Sequence, residues 1–253
     1  LNRLGIYNFA VATLTEAIRL RQKKIEGNIL VLGYTSPREA KEIYKYDIIQ
    51  TIIDDKYAKE LDESGYRVRA HVKIDTGMHR LGEDSHNLLG IQKIFSCKNL
   101  QIEGTYTHLC VADSQKEEDI LYTGKQIEQF YQVIDALKKV GYQPGKIHIQ
   151  SSYGVLNYPD LPVDYVRVGI ALYGNLSSIQ DRVKKQVHLE PVLSLKSRVA
   201  QVRAVRGGEN AGYGRAFTAK KDGKLAVITI GYGDGLPREL SGKKAKVMIR
   251  GKK

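Results

Sequence analysis

Cysteine is almost missing from these 253 residues: Cys97 and Cys110 are too few for a disulfide framework and imply a reducing compartment. No run approaches the roughly 18 consecutive apolar residues of a membrane-spanning helix. Leu1 to Tyr7 carry neither the basic nor the apolar region of a secretory signal. Internal repeats and low-complexity tracts are absent. No Cys-x-x-Cys occurs, and His71, His79, His86, His108, His148 and His188 include no pair at helical i, i+4 spacing, so no metal site is expected. No Gly-Lys-Ser/Thr follows a glycine loop and no glycine cluster opens a helix, which excludes a P-loop and a dinucleotide fingerprint.

What is there is ordinary for a globular chain: 42% hydrophobic and 27% charged residues, at a length that suits a barrel plus a smaller module. The net charge of +12 is unevenly placed. Residues 1–180 hold 22 Lys+Arg and 22 Asp+Glu, whereas residues 181–253 hold 18 and 6. The excess is scattered among strands, with short pairs such as Lys243-Lys244 and Lys252-Lys253, so the basic balance argues little for nucleic acid and none is expected. The chain begins at Leu1 and stops after the alternating run Ala245–Ile249, which reads as a piece of a longer protein.

From Phe9 to Gly174 short β-branched runs alternate with helical patterns. Strands are expected at Phe9–Ala12, Ile29–Gly33, Ile48–Ile53, Arg67–Asp75, Ile102–Cys110, Lys146–Ser152 and Tyr165–Tyr173, with helices such as Thr13–Lys24, Ser36–Tyr44 and Glu117–Val140 between them. Such βα units build a parallel sheet. Seven strands are one short of a (β/α)8 barrel, so the fold expected is α/β: a TIM-type barrel missing its first strand. Val68, Ala70, Val72 and Ile74 share one strand face and Arg69, His71, Lys73 and Asp75 the other. The apolar face is expected to pack on outer helices, as is the face of Val166, Val168, Ile170 and Leu172 opposite Arg167. The polar faces then point into the barrel, whose strand C-termini form the site. After Gly174 the pattern becomes Gly-punctuated and strand-like, at Leu193–Val205, Lys224–Ile230 and Lys244–Ile249. The expected organisation is a barrel domain over residues 1–176, a linker over 177–190 and the start of a mainly-β C-terminal domain over 191–253.

Several residues suit chemistry. Arg167 cannot shed its charge, so an apolar strand must give it an anionic or strongly accepting partner. Arg80 leaves its strand through a glycine loop. His108 closes a strand, where a satisfied core histidine is the plainer reading, and Lys73 and Asp75 admit simple pairing with neighbouring charges. Ser152, Gly169 and Ile170 offer a hydroxyl and backbone N–H groups where such barrels often hold phosphate, a weak signal by itself. Glycines flank Tyr213 in Gly212-Tyr213-Gly214, and Gly231-Tyr-Gly-Asp-Gly235 repeats the device around Tyr232.

These segments together resemble the alanine racemase family of pyridoxal-phosphate enzymes, with a barrel domain and a β domain. The likeness runs through Phe9–Leu14, Ile29–Gly33, Lys73-Ile-Asp-Thr-Gly-Met-His-Arg-Leu-Gly82, Thr107-His108, Tyr165–Gly174, Gly212-Tyr213-Gly214 and Gly231–Arg238. It implies that Arg167 hydrogen-bonds the cofactor's pyridine nitrogen, with His108 beside it. Ser152 and the main chain of Gly169 and Ile170 would contact the phosphate, and Arg80 the phenolic oxygen and the substrate carboxylate. Lys73 matches a lysine often carbamylated in the family, Tyr213 an acid/base contributed across a homodimer interface, and Tyr232 the substrate entry channel. The implied reaction interconverts L- and D-alanine by a two-base lysine/tyrosine mechanism and supplies D-amino acid for cell-wall precursors. Ser151 before Ser152 and His79 between Met78 and Arg80 also resemble the serine/alanine racemase domain of vancomycin-resistance operons, which follows a membrane domain. The family's Schiff-base lysine belongs to the first barrel strand, so the chain as given is expected to be inactive alone. A cytoplasmic site is implied, on the membrane's cytoplasmic face if such a domain precedes. A decarboxylase on the same cofactor fold suits the pyridine-facing arginine less well, and a non-enzymatic cofactor barrel lacks the β module.

Overall fold

The computed structural model describes residues 1–178, 181–240 and 246–252, in two compact units divided between Val192 and Leu193. The first unit runs β1 (Asn8–Val11), α1 (Leu14–Gln22), β2 (Asn28–Val31), α2 (Ala40–Lys45), β3 (Ile49–Ile52), α3 (Asp55–Glu63), β4 (Val68–Asp75), β5 (Glu83–Asp84), α4 (Leu88–Ser96), β6 (Leu100–Tyr106), α5 (Glu117–Lys139), β7 (Lys146–His148) and α6 (Ser152–Asn157). Six parallel strands pair in the order β1-β2-β3-β4-β6-β7, with β5 beside β4. This is an α/β half-barrel, the parallel architecture expected.

Local chemistry starts these helices. Thr13 Oγ1 accepts from the Glu16 N–H, and the Glu16 carboxylate accepts from the N–H groups of Ala12 and Thr13, a reciprocal cap for α1. Asp54 caps α3 through the Tyr57 N–H at 2.7 Å, and Asn87 caps α4 through the Gly90 N–H at 3.1 Å. Phe130, Val133, Ile134 and Leu137 bring one stripe of α5 into the core. On β4 the outward residues Val68, Ala70, Val72 and Ile74 are sealed beneath helices, while His71 and Lys73 are buried on the opposite face. At the N-terminal end of the strands Arg69 forms a fork on Glu103, with both contacts at 2.8 Å, and also reaches Asp47 and Asn28. That carboxylate raises the guanidinium's pKa.

Two expected strands end well short of their runs, and a third does not form. The Ile102–Cys110 run stops pairing at Tyr106, and the Lys146–Ser152 run at His148, where Ser152 already opens α6. Tyr165–Tyr173 is not a ladder strand. It runs beside β7 through the bonds Tyr165 N to Ile147 O and Arg167 N to Gln150 O, plus a parallel Ser151–Arg167 bridge, and among the described residues no strand pairs with its other edge. Ile170–Tyr173 then winds into a 3-10 turn that Gly174 closes at φ 75°. Val166, Val168, Ile170 and Leu172 are consequently exposed rather than packed on helices.

The second unit holds β8 (Val199–Val205), β9 (Asn210–Ala211), β10 (Phe217–Thr218) and β11 (Gly223–Ile228), paired as two antiparallel ribbons, β8 with β11 and β9 with β10. Leu193–Arg198 lie outside β8, which shortens the expected strand. Of the expected Lys244–Ile249 strand, Lys244 and Ala245 lie outside the described residues, as does Lys243; Lys246 to Met248 are not strand, and Ile249 makes a bridge with Lys252. Among the described residues no helix is long and apolar enough to cross a membrane.

Candidate active site

The site gathers at the C-terminal ends of β4, β6 and β7. Arg167 is its centre. One terminal nitrogen donates to His148 Nδ1 at 2.7 Å and to the His148 carbonyl at 3.0 Å. The other faces the carbonyls of Thr107 (2.7 Å) and Ile149 (3.0 Å) and His108 Nδ1 (3.2 Å). Its guanidinium also lies 4.9 Å from the centre of the Tyr106 ring. Every acceptor around this cation is neutral, and no carboxylate pairs with it among the described residues. Burial lowers its pKa to about 10, so it stays charged at neutral pH. Among the described residues Nε–H is the one donor of the group without an acceptor.

A guanidinium only donates, so His108 must accept on Nδ1 and carry its proton on Nε2. Burial and the facing Arg167 push His108 down to about 4, which keeps it neutral. Lys73 is 3% exposed and has no ion pair or hydrogen bond among the described residues, so simple pairing with a neighbouring charge does not account for it. Burial, with Arg80 nearby, lowers its pKa to about 8. Asp75 turns away and accepts from the N–H groups of Gly77 and His79 and from the His79 ring. Arg80 is exposed on the following loop. Gly82 returns that loop against β4: at φ 117° a Cβ would stand 2.9 Å from the Asp75 nitrogen.

Ser152 Oγ accepts from the N–H groups of Gly169 (3.0 Å) and Ala171 (3.3 Å), which joins two of the phosphate candidates to each other, with Ile170 exposed between them. A groove of about 550 Å³ runs along this side of the unit, with Phe9, Leu30, His71, His148, Arg167 and Gly169 among its lining residues. Tyr213 and Tyr232 belong to the second unit. Tyr213 is 81% exposed on a turn whose two glycines take φ 81° and 63°, the left-handed conformations its flanking pattern suggests. Tyr232 is exposed in a 3-10 turn, with Arg238 over its ring at 5.6 Å.

Sequence reasoning missed Tyr106, Thr51, His71 and His148 as parts of one polar interior. Tyr106 Oη and Thr51 Oγ1 are 2.9 Å apart, and His148 stacks on Tyr106 with ring centres 4.6 Å apart. The period-2 alternation already put His71 on an inward face. Its meeting with His148 depends on strand register, which no local pattern reveals.

Neutral acceptors closing on one arginine at the C-terminal ends of parallel strands define a half-barrel ligand site of the α/β class. Residues 1–177 match the family "Alanine racemase, N-terminal domain" and residues 192–253 "Alanine racemase, C-terminal domain". The chain belongs to the alanine racemase family. It is 44% identical over 249 residues to an amino-acid racemase of Enterococcus faecalis, covering 98% of this chain and 35% of that protein. It is 43% identical over 251 residues to a serine/alanine racemase of Enterococcus gallinarum, covering 99% and 36%. The structure of alanine racemase from Clostridium difficile 630 superposes with a TM-score of 0.85 at 31% identity, over 95% of this chain and 64% of that one. The chain thus spans about a third of the length of the two Enterococcus relatives.

Proposed function

We propose that this chain carries the cofactor-holding part of a pyridoxal-phosphate-dependent amino-acid racemase, an isomerase that interconverts L- and D-alanine and supplies D-amino acid for cell-wall precursors. The observation that carries the reading is Arg167, whose terminal nitrogens are both engaged and whose Nε–H alone is left to donate among the described residues. A permanently charged donor of this kind suits a pyridine nitrogen, which it cannot protonate. When bound, pyridoxal phosphate makes the α-proton of an amino acid acidic, and an unprotonated pyridine restrains how far that charge is drawn away. Ser152 has a hydroxyl proton still to donate, and with the main chain of Gly169 and Ile170 it would hold the phosphate. Arg80, free of ion pairs among the described residues, would meet the substrate carboxylate.

Lys73 fits the carbamylation reading because its amine loses its proton near pH 8 and is then able to add carbon dioxide, shedding one proton to become an anion beside Arg80. Racemisation needs an acid/base on each face of the α-carbon. Tyr213 would serve one face of the neighbouring protomer's site in a homodimer. A tyrosine ordinarily titrates near about 10. With its proton on Nε2, His108 would donate to the phenolic oxygen and favour the phenolate. Tyr232 would line the entry channel. The opposite base, a lysine in the resemblance, is assigned to no residue of the chain. Serine as a further substrate is favoured by the 43% identity to a serine/alanine racemase.

The test uses the full-length protein with pyridoxal phosphate. Expected are an absorbance near about 420 nm and exchange of the α-proton of L-alanine or L-serine in D2O. A colourless protein with no exchange would sink the reading. Tyr213→Phe should keep the colour and lose exchange starting from one enantiomer; unaltered exchange from both would remove Tyr213 as a base.

A further inference from the structure

Two buried imidazoles take no part in that reaction. His71 on β4 and His148 at the end of β7 meet inside the half-barrel, with His71 Nδ1 2.9 Å from His148 Nε2. His148 Nδ1 in turn lies 2.7 Å from a terminal nitrogen of Arg167. The protons along this row follow by elimination. Arg167 only donates, so His148 Nδ1 holds a lone pair and Nε2 the proton. His71 Nδ1 must then accept, and its proton sits on Nε2. Any other tautomer, or a second proton on either ring, sets N–H against N–H. Burial keeps both rings uncharged at neutral pH, His71 at about 4 and His148 well below its ordinary value. The seat for His71 is cut by Gly104, where a Cβ would stand 2.8 Å from the ring.

We infer that His71 is a positioning residue: through His148 it holds one terminal nitrogen of Arg167 while the carbonyls of Thr107 and Ile149 and the His108 ring hold the other, so that Nε–H remains for the ring nitrogen of a bound ligand. This rests on the reading of Arg167 as the cofactor contact. Imidazole suits the task where a carboxylate would not. A neutral acceptor orients the guanidinium and leaves its charge uncompensated, whereas a carboxylate would cancel it.

The row is tested in the full-length protein labelled with 15N at the histidine rings and sedimented for solid-state NMR, with His71→Asn and His148→Asn assigning the signals. Both rings should be neutral Nε2–H tautomers from about pH 7 to about pH 5; a charged or Nδ1–H His148 overturns the inference. Pyridoxal-phosphate titration of the cofactor-free protein adds a second readout. Asparagine keeps an acceptor near the place of Nδ1, so H71N should bind within about threefold of wild type. H71L, which leaves the His148 N–H unanswered, should bind about tenfold or more weakly. An H71L protein that binds as wild type, with His148 unchanged, overturns the inference. If H71L does not fold, the wild-type tautomers and H71N decide. A wild-type protein that binds no pyridoxal phosphate defeats the proposed function, while the tautomer pattern still decides the imidazole row.

Discussion

In the first unit helices cover β4 so fully that Val68, Ala70, Val72 and Ile74 have no exposure, whereas in the second unit β8 and β11 leave Val202 57% and Val227 46% exposed. Among the described residues Val205 and Ala219 are the buried hydrophobics of the second unit. Both regions are rich in β-branched residues, so composition does not separate them. The difference lies in layers. A parallel strand arrives with its crossover helix, which supplies a second layer from the same stretch of chain. An antiparallel ribbon brings no such cover, and a two-stranded hairpin is marginal in water by itself. Polar groups divide the same way: the first unit buries His71, Lys73 and His148, while the second contains no histidine at all.

The sharpest way to break this comparison is to separate the units. Residues 1–192 should unfold cooperatively by circular dichroism, and residues 193–253 should show no cooperative transition. A sharp melt of the smaller piece would show that its ribbons suffice. Acid comes next. His71 titrates near 4 when folded against 6.5 ordinarily, so below 6.5 the unfolded chain binds more protons. Stability of the first unit should therefore fall as pH drops from 6.5 to 4, on the order of 3 kcal/mol from His71 alone. The melting temperature against pH checks this, and His71→Asn should flatten the slope.

Cavities give a comparable contrast. Ile94→Ala, at a fully buried position of α4, should cost about 2–5 kcal/mol in denaturant unfolding, and Val202→Ala on the open ribbon within about 0.5 kcal/mol. Equal costs would mean that the ribbon is covered in solution. Lys73 should give an effect of the opposite sign. Its folded pKa near 8 lies below the ordinary 10.5, so its burial penalty is full below pH 8 and fades as pH rises to 10.5. Lys73→Met should stabilise the protein near neutrality by about 1–3 kcal/mol, and the gain should shrink across that window. A carbamylated Lys73 would reverse the sign, because its anion belongs beside Arg80.

Much of the site was legible before any fold. Inward alternation marked His71 and Lys73, and a charge that cannot be shed marked Arg167. Those signals are local, set by a strand period of two and by the chemistry of single side chains. Strand ends were harder. Tyr165–Tyr173 alternates as well as any pairing strand, yet among the described residues it meets the β7 side through a few backbone bonds and one bridge before Ile170–Tyr173 winds into a 3-10 turn.

By itself the sequence determined the parallel α/β class, the change of character after Gly174 and the residues that bear charge inward, since periodicity and side-chain chemistry are written residue by residue. Tertiary structure alone decided which of those residues meet. Register across β4, β6 and β7 sets His71 against His148, and the return of the chain after β7 brings Arg167 to both His148 and His108. A hydrogen bond forms or fails within a fraction of an ångström, and partners separated by 77 residues owe that distance to the packing of the whole half-barrel.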